Sequence, residues 1–154
     1  MSVYVRNLFC SAALGVMALV AGTAAVAADD ASALADAAKE KGAVVAKSGM
    51  VFLAVKEGTG DKPVAADKVK VHYRGTLVHG KEFDSSFKRN APAEFPLSGV
   101  IPCWTEGVQM MKVGGKAKLT CPGKLAYGER GYPGLIPGNA TLTFDVELLG
   151  INGK

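Results

Sequence analysis

Histidine and cysteine are scarce in this chain of 154 residues, with two of the first and three of the second. That leaves little for a metal cluster, and no zinc-ligand spacing occurs. There is no nucleophile elbow and no phosphate-binding glycine loop. Gly114-Gly115 and Gly131-Tyr132-Pro133-Gly134 read as turns, since neither joins a strand to a helix at the required spacing. His72 sits on the polar face of an alternating stretch and His79 in a turn. Both are expected to be solvated, and neither has the context of a Ser/His/Asp set. Covalent, hydrolytic and metal chemistry are thereby disfavoured, and no cofactor is expected. An excess of one charge is also missing: 18 basic residues stand against 14 acidic, a net +4 spread along the chain. That is too mild for a nucleic-acid partner.

What the chain does have is 49% apolar and 21% charged residues, the balance of a globular protein. The length suits one domain. Nineteen glycines and seven prolines imply many turns, which favours strands over long helices.

Residues 1–28 read as a cleaved secretory signal. Arg6 is the only charge before Asp29, Leu8 to Val20 is an apolar run, and Ala25-Val26-Ala27 supplies a small-x-small cleavage pattern. The run is short for an uncleaved span, so no stable membrane insertion is expected after cleavage. The shape of the signal is bacterial and points to the periplasm, or secretion. Cleavage removes Cys10 and leaves Cys103 and Cys121.

Residues 29–48 form a short N-terminal arm. Asp29 to Lys41 is alanine-rich, with acids first and bases last, a helical stub of marginal length. The domain proper is expected over 49–154. Met50–Lys56, Lys68–Arg74 with a continuation through Val78, Lys116–Cys121 and Thr141–Leu149 read as strands. Their alternation fits antiparallel strands covered on one face. One internal helix is expected over Cys103–Met111, with Pro102 at its start and Gly114-Gly115 beyond its end. Trp104, Val108 and Met111 make its apolar stripe. The fold class is α+β, one short helix against one twisted antiparallel sheet. The segments Phe83–Leu97 and Ala126–Asn139 read as long loops, the usual places for function. Aromatic and branched residues cluster near those loops: Phe83, Val100, Ile101, Trp104, Tyr127, Tyr132, Leu135 and Ile136, with Tyr73 and Phe144 on strands. They read either as ordinary core or as an apolar pocket with a few polar groups, Asp84 and Arg89 among them.

Seven blocks then occur in order: VKVHYRG at 69–75, GKEFDSS at 80–86, VIPCWTEG at 100–107, MKVG at 111–114, AYG at 126–128, IPGN at 136–139 and LTFDVEL at 142–148. Together they resemble the FKBP family of peptidyl-prolyl cis-trans isomerases, over roughly Met50 to Ile151. The signal and lead-in resemble the periplasmic, Mip-like branch of bacteria. The resemblance implies an antiparallel sheet wrapped around a short helix, and an isomerase that helps exported proteins fold. Its partners would be proline-containing unfolded or folding polypeptides and macrolides of the rapamycin type. The competing reading is a binding module or holdase of the same fold, with isomerisation incidental. Only about 20 residues separate the signal from the domain, so the dimerising helical region of that branch looks reduced, and a monomer is expected.

The resemblance also implies a site. Trp104 would form the pocket floor, and Tyr73, Phe83, Val100, Ile101 and Phe144 its apolar walls. Asp84 would be the wall carboxylate and Arg89 its basic neighbour. Tyr127 would offer its hydroxyl, and Ile101 its backbone N–H, to ligand carbonyls. Tyr132, Leu135 and Ile136 would form a flap over the entrance. Ala93 stands where many members place a phenylalanine, which lowers one wall and weakens the expected macrolide affinity. Tyr132 stands where some have histidine. Cys103 replaces the glycine that usually precedes the tryptophan. In an oxidising compartment Cys103 and Cys121 are candidates for a disulfide; two buried free thiols are the alternative.

Overall fold

The computed structural model describes residues 22–153, with side-chain surroundings from Asp30 onward. Most of the signal segment therefore lies outside the described residues, but helix α1 (Gly22–Lys39) begins within it and runs through the expected cleavage point. The strands are β1 (Ala43–Val45), β2 (Val51–Lys56), β3 (Lys68–Leu77), β4 (Glu82–Ser85), β5 (Ala93–Pro96), β6 (Lys116–Cys121) and β7 (Leu142–Ile151), with helix α2 (Pro102–Val108) between β5 and β6. They form one antiparallel sheet in the order β1-β2-β6-β7-β3-β4. β5 pairs with β3 as well, beside Lys68–Val71, while β4 pairs with Arg74–Thr76. The outermost strand is thus two pieces separated by residues 86–92.

The long strands follow the period-two pattern. Along β7, Leu142, Phe144, Val146, Leu148 and Gly150 are buried and the residues between them are not. Along β3, Val69, Val71, Tyr73, Gly75 and Leu77 are buried in the same way. Their inward faces close over α2, whose Cys103, Trp104, Gly107 and Val108 are all buried.

α2 has only seven residues. An isolated helix of that length does not hold in water, so its place is set by what it touches. Pro102 opens it at a position where a missing N–H costs nothing. Gly107 presses so close to β6 that a Cβ there would lie 2.8 Å from Leu119 Cδ2 and 3.2 Å from the Met50 sulfur. One turn back on the same helix face, Cys103 is disulfide-bonded to Cys121, with the Cα atoms 5.8 Å apart. Leu119 and Cys121 are two apart on a strand, Cys103 and Gly107 four apart on a helix, so the two pairs share one seam.

The arm is not free of the domain. β1 pairs with β2 from Ala43↔Leu53 to Val45↔Val51, so the sheet begins before residue 49. Ala37 of α1 is buried, and Asp30 accepts hydrogen bonds from the N–H and hydroxyl of Thr141 through its carboxylate and carbonyl. Among the described residues no helix is long and apolar enough to cross a membrane.

Candidate active site

A cavity of about 330 Å³ opens between the N-terminal end of α2 and the β3–β4–β5 edge. Trp104 lies at its base, buried, and three aromatic rings meet it edge-on: Tyr73 at 5.1 Å, Phe144 at 5.4 Å and Phe95 at 5.7 Å between centroids. Perpendicular packing sets the positive ring edge against the negative face of its neighbour, which fixes the rings without a polar contact. Phe83 closes a further side, edge-on to Phe144 at 5.6 Å. It reaches that position because β3 carries a glycine there: a Cβ on Gly75 would lie 2.5 Å from the Phe83 ring. Val100 and Ile101, on the approach to α2, complete the apolar lining.

The polar groups are few and converge. Asp84 and Tyr127 both line the cavity. The Tyr73 hydroxyl donates to one Asp84 oxygen in a short hydrogen bond. Arg89 Nη1 donates to the other at 2.5 Å, and its Nη2 donates to the Tyr73 hydroxyl at 3.0 Å. The Asp84 carboxylate also accepts the N–H of Ser85. Burial pushes the Asp84 carboxyl up, but the hydrogen bonds from Tyr73 and Arg89 outweigh it and hold the group below its ordinary value. Burial and then the Asp84 carboxylate push the Tyr73 phenol up. Burial, with the charge of Asp84, does the same to Tyr127. So at neutral pH the site holds an anion beside two phenols that keep their protons. Among the described residues, the donors of this cavity without an acceptor include one on the approach to α2 and one within it. The Ile101 N–H, just before α2, has no acceptor. The indole N–H of Trp104 has none either.

The structure thus brings Tyr73, Phe83, Asp84, Val100, Ile101, Trp104, Tyr127 and Phe144 to one cavity. Arg89 stands behind Asp84, with its guanidinium 5.7 Å from the Tyr73 ring centre, and lines nothing itself. The expected flap is only partly one. Tyr132 packs edge-on to Tyr127 at 6.1 Å and is half exposed, as is Leu135, and neither lines the cavity. Ile136 is buried in the core instead, because its backbone pairs with Tyr132 across a tight turn and turns its side chain inward.

The wall expected to be low at Ala93 is filled by Phe95, the lining side chain that sequence reasoning missed. The two lie two apart on β5 and so face the same way, and strand periodicity would have found it had β5 been recognised. His72 also departs from expectation. It is half-buried, with Nδ1 2.9 Å from the Ser86 hydroxyl and its ring stacked on Phe87 at 4.8 Å. Ser86 in turn accepts the N–H of Tyr73, tying the interruption of the outer strand to the wall of the cavity. No group of three or more His, Cys, Asp or Glu able to hold a metal is present among the described residues.

This sequence and this fold have relatives. Residues 60–149 match the family model for FKBP-type peptidyl-prolyl cis-trans isomerases. The chain belongs to that family. It is 58% identical over 118 residues to the FKBP-type peptidyl-prolyl cis-trans isomerase FkpA of Aeromonas hydrophila, covering 77% of this chain and 44% of the relative. To FkpA of Escherichia coli K12 it is 54% identical over 114 residues, covering 74% and 42%. The chain therefore spans under half the length of these curated relatives. The crystal structure of FkpA from Escherichia coli superposes with a TM-score of 0.81 at 48% identity, over 84% of this chain and 60% of that one. A peptidyl-prolyl cis-trans isomerase from Pseudomonas syringae gives 0.77 at 35% identity, over 84% and 94%.

Proposed function

We propose that this chain is a peptidyl-prolyl cis-trans isomerase that acts on proline-containing segments of unfolded or folding polypeptides in the periplasm of a Gram-negative bacterium. One observation carries the reading: a ring-lined cavity over Trp104 that holds an anion, a free backbone N–H and a protonated phenol. Family membership supports it.

The chemistry needed is modest. A trans X–Pro bond is only slightly preferred over cis, and exchange takes tens to hundreds of seconds unaided. The barrier, about 18–20 kcal/mol for an amide, is the loss of C–N resonance. Resonance places charge on the carbonyl oxygen, and water favours it. A cavity that seats the prolyl ring on Trp104 removes that water and so weakens the planar form. The Ile101 N–H and the Tyr127 hydroxyl hold the flanking carbonyls while the bond turns. Asp84, fixed by Tyr73 and Arg89, places a defined negative charge against the twisting imide. No protein atom bonds to substrate; the cavity need only fit the twisted state better than either planar one.

The same reading makes residues 1–28 a cleaved signal, 29–48 an arm and 49–154 the isomerase domain, in the Mip-like branch. A disulfide between Cys103 and Cys121 suits an exported protein. Rapamycin-type macrolides would enter the same cavity, against Phe95, which fills the wall beside Ala93.

The test is isomerisation of a short X–Pro peptide by the purified protein, with and without rapamycin. Catalysis abolished by the drug is expected. A folded protein that does not catalyse would overturn the enzyme in favour of a binding module. Catalysis indifferent to rapamycin would leave the enzyme standing and point to a changed drug site at Ala93 and Tyr132.

A further inference from the structure

A second cavity, of about 180 Å³, lies beyond the other end of α2. Its floor is apolar: Phe52 of β2, Met111 and Ala117 of β6 are all buried. Its rim is cationic. Lys56, Lys62, Lys112 and Lys116 stand around it, all exposed, with Glu57 as the single acid. Lys116 has a distant partner in Glu147, at 3.8 Å. Lys56, Lys62 and Lys112 have no acidic partner among the described residues, although the chain elsewhere pairs Lys68, Lys88 and Lys118. The walls are built rather than loose. The Gly60 N–H donates to the Val113 carbonyl and the Val113 N–H to the Asp61 carbonyl, each at 3.1 Å, so the segments bearing Lys62 and Lys112 are laced together.

We propose that this cavity is a docking site for an acidic polypeptide segment with one apolar anchor, a part of a client chain other than its proline. The volume suits one branched or aromatic side chain. Four lysines on flexible stems suit carboxylates at neighbouring positions of an extended segment, where the exact placing of each charge differs from one client to the next. A phosphate group fits less well. The rim offers no arginine fork, and a phosphate would leave the apolar floor against water. The docked segment and the prolyl segment would lie at opposite ends of α2, so one client could occupy both sites. That deepens the isomerase reading, on which the word client rests. Binding itself can be measured without it.

The probe is a fluorescently tagged acetyl-Asp-Glu-Leu-Asp-Glu-amide, which lacks proline, titrated against the purified protein by anisotropy. Saturable binding is expected, weakened about tenfold by K56E/K112E and by no more than about twofold by K47E/K124E, the same charge change at the opposite end of β2 and β6. Replacing the peptide's Leu with Ser is expected to weaken it several-fold. Isomerisation of a short uncharged X–Pro peptide is expected to be unchanged in both variants, which also reports that they fold; K62Q/K112Q serves if K56E/K112E does not. No binding, an equal loss in K47E/K124E, or indifference to the Leu would each overturn the site. A protein that binds the probe but isomerises nothing would sink the enzyme reading and leave the docking site standing.

Discussion

The Tyr73 phenol and the Asp84 carboxylate share a hydrogen bond at the mouth of the aromatic cavity, and Arg89 binds both. Neither partner is free to turn without stranding the other. On the proposed function, the anion that would face substrate is therefore fixed in place before substrate arrives, which is where electrostatic catalysis gains its advantage.

Asp84→Ala should lower kcat/KM for a short prolyl peptide by about tenfold or more. Tyr73→Phe removes only the donor and should give a smaller loss, with the melting temperature little changed. Equal activity in wild type and Asp84→Ala would remove the carboxylate from the mechanism.

The acid limb of activity follows from the same triad. Asp84 titrates below its ordinary value of 3.8. A depressed carboxyl contributes stability above its unfolded pKa and loses it as pH falls through the folded one. Activity should thus be flat from neutral pH down to about 5 and fall only below about 4. A fall already near pH 6 in kcat/KM profiles would contradict this. At the alkaline end the Tyr127 phenol, pushed up from 10.0, should stay a donor until the solution is strongly basic.

Phe95→Ala removes one of the three rings that pack edge-on against Trp104. Affinity for a macrolide or a prolyl ligand should drop about tenfold, roughly 1.4 kcal/mol, while the domain still folds. Ala93→Phe should change affinity little, since its side of the wall is already occupied. A larger effect at Ala93 than at Phe95 would show the wall to be built otherwise.

Gly107→Ala sets two effects against each other. Alanine suits a helix better by about 1 kcal/mol. The new methyl, however, meets Leu119 and Met50 in a closed core, and overpacking costs about 1–3 kcal/mol. A net loss is expected in urea denaturation, and a gain would mean that α2 can lift off β6.

Opening the disulfide by Cys103→Ser with Cys121→Ser should cost about 3 kcal/mol on the chain-entropy account, close to 10 °C in melting temperature. Both cysteines are fully buried, so reductant should act on the native protein only slowly. Rapid reduction without loss of fold would show that the seam opens locally.

The long strands and the helix were legible because burial on one face imposes a period that the sequence must obey. Lys116–Cys121 has the same bounds in the sequence reading and the structure, and Pro102 opens α2 where proline signals allow. β4 and β5 were read as one loop from Phe83 to Leu97 because each is four residues long, too short for alternation to register. β1 has three residues and was taken into the arm for the same reason. The site was legible chiefly through resemblance. Composition left Tyr73 and Trp104 divided between core and pocket, and the structure makes them both: they are buried, and the cavity rests on them. Ile136 was placed in the flap by the resemblance, and a turn that reverses one side chain leaves no periodic trace to correct it.

A floor made of core residues has one more consequence. Trp104, Tyr73 and Phe144 hold α2, β3 and β7 together, and α2 cannot stand without them. A ligand that settles on those rings is therefore bound by the folded chain alone, with nothing comparable offered by the unfolded one. Occupancy of the cavity must then register as resistance of the whole domain to heat, in proportion to the logarithm of ligand over its dissociation constant. The protein is its own thermometer for what it binds.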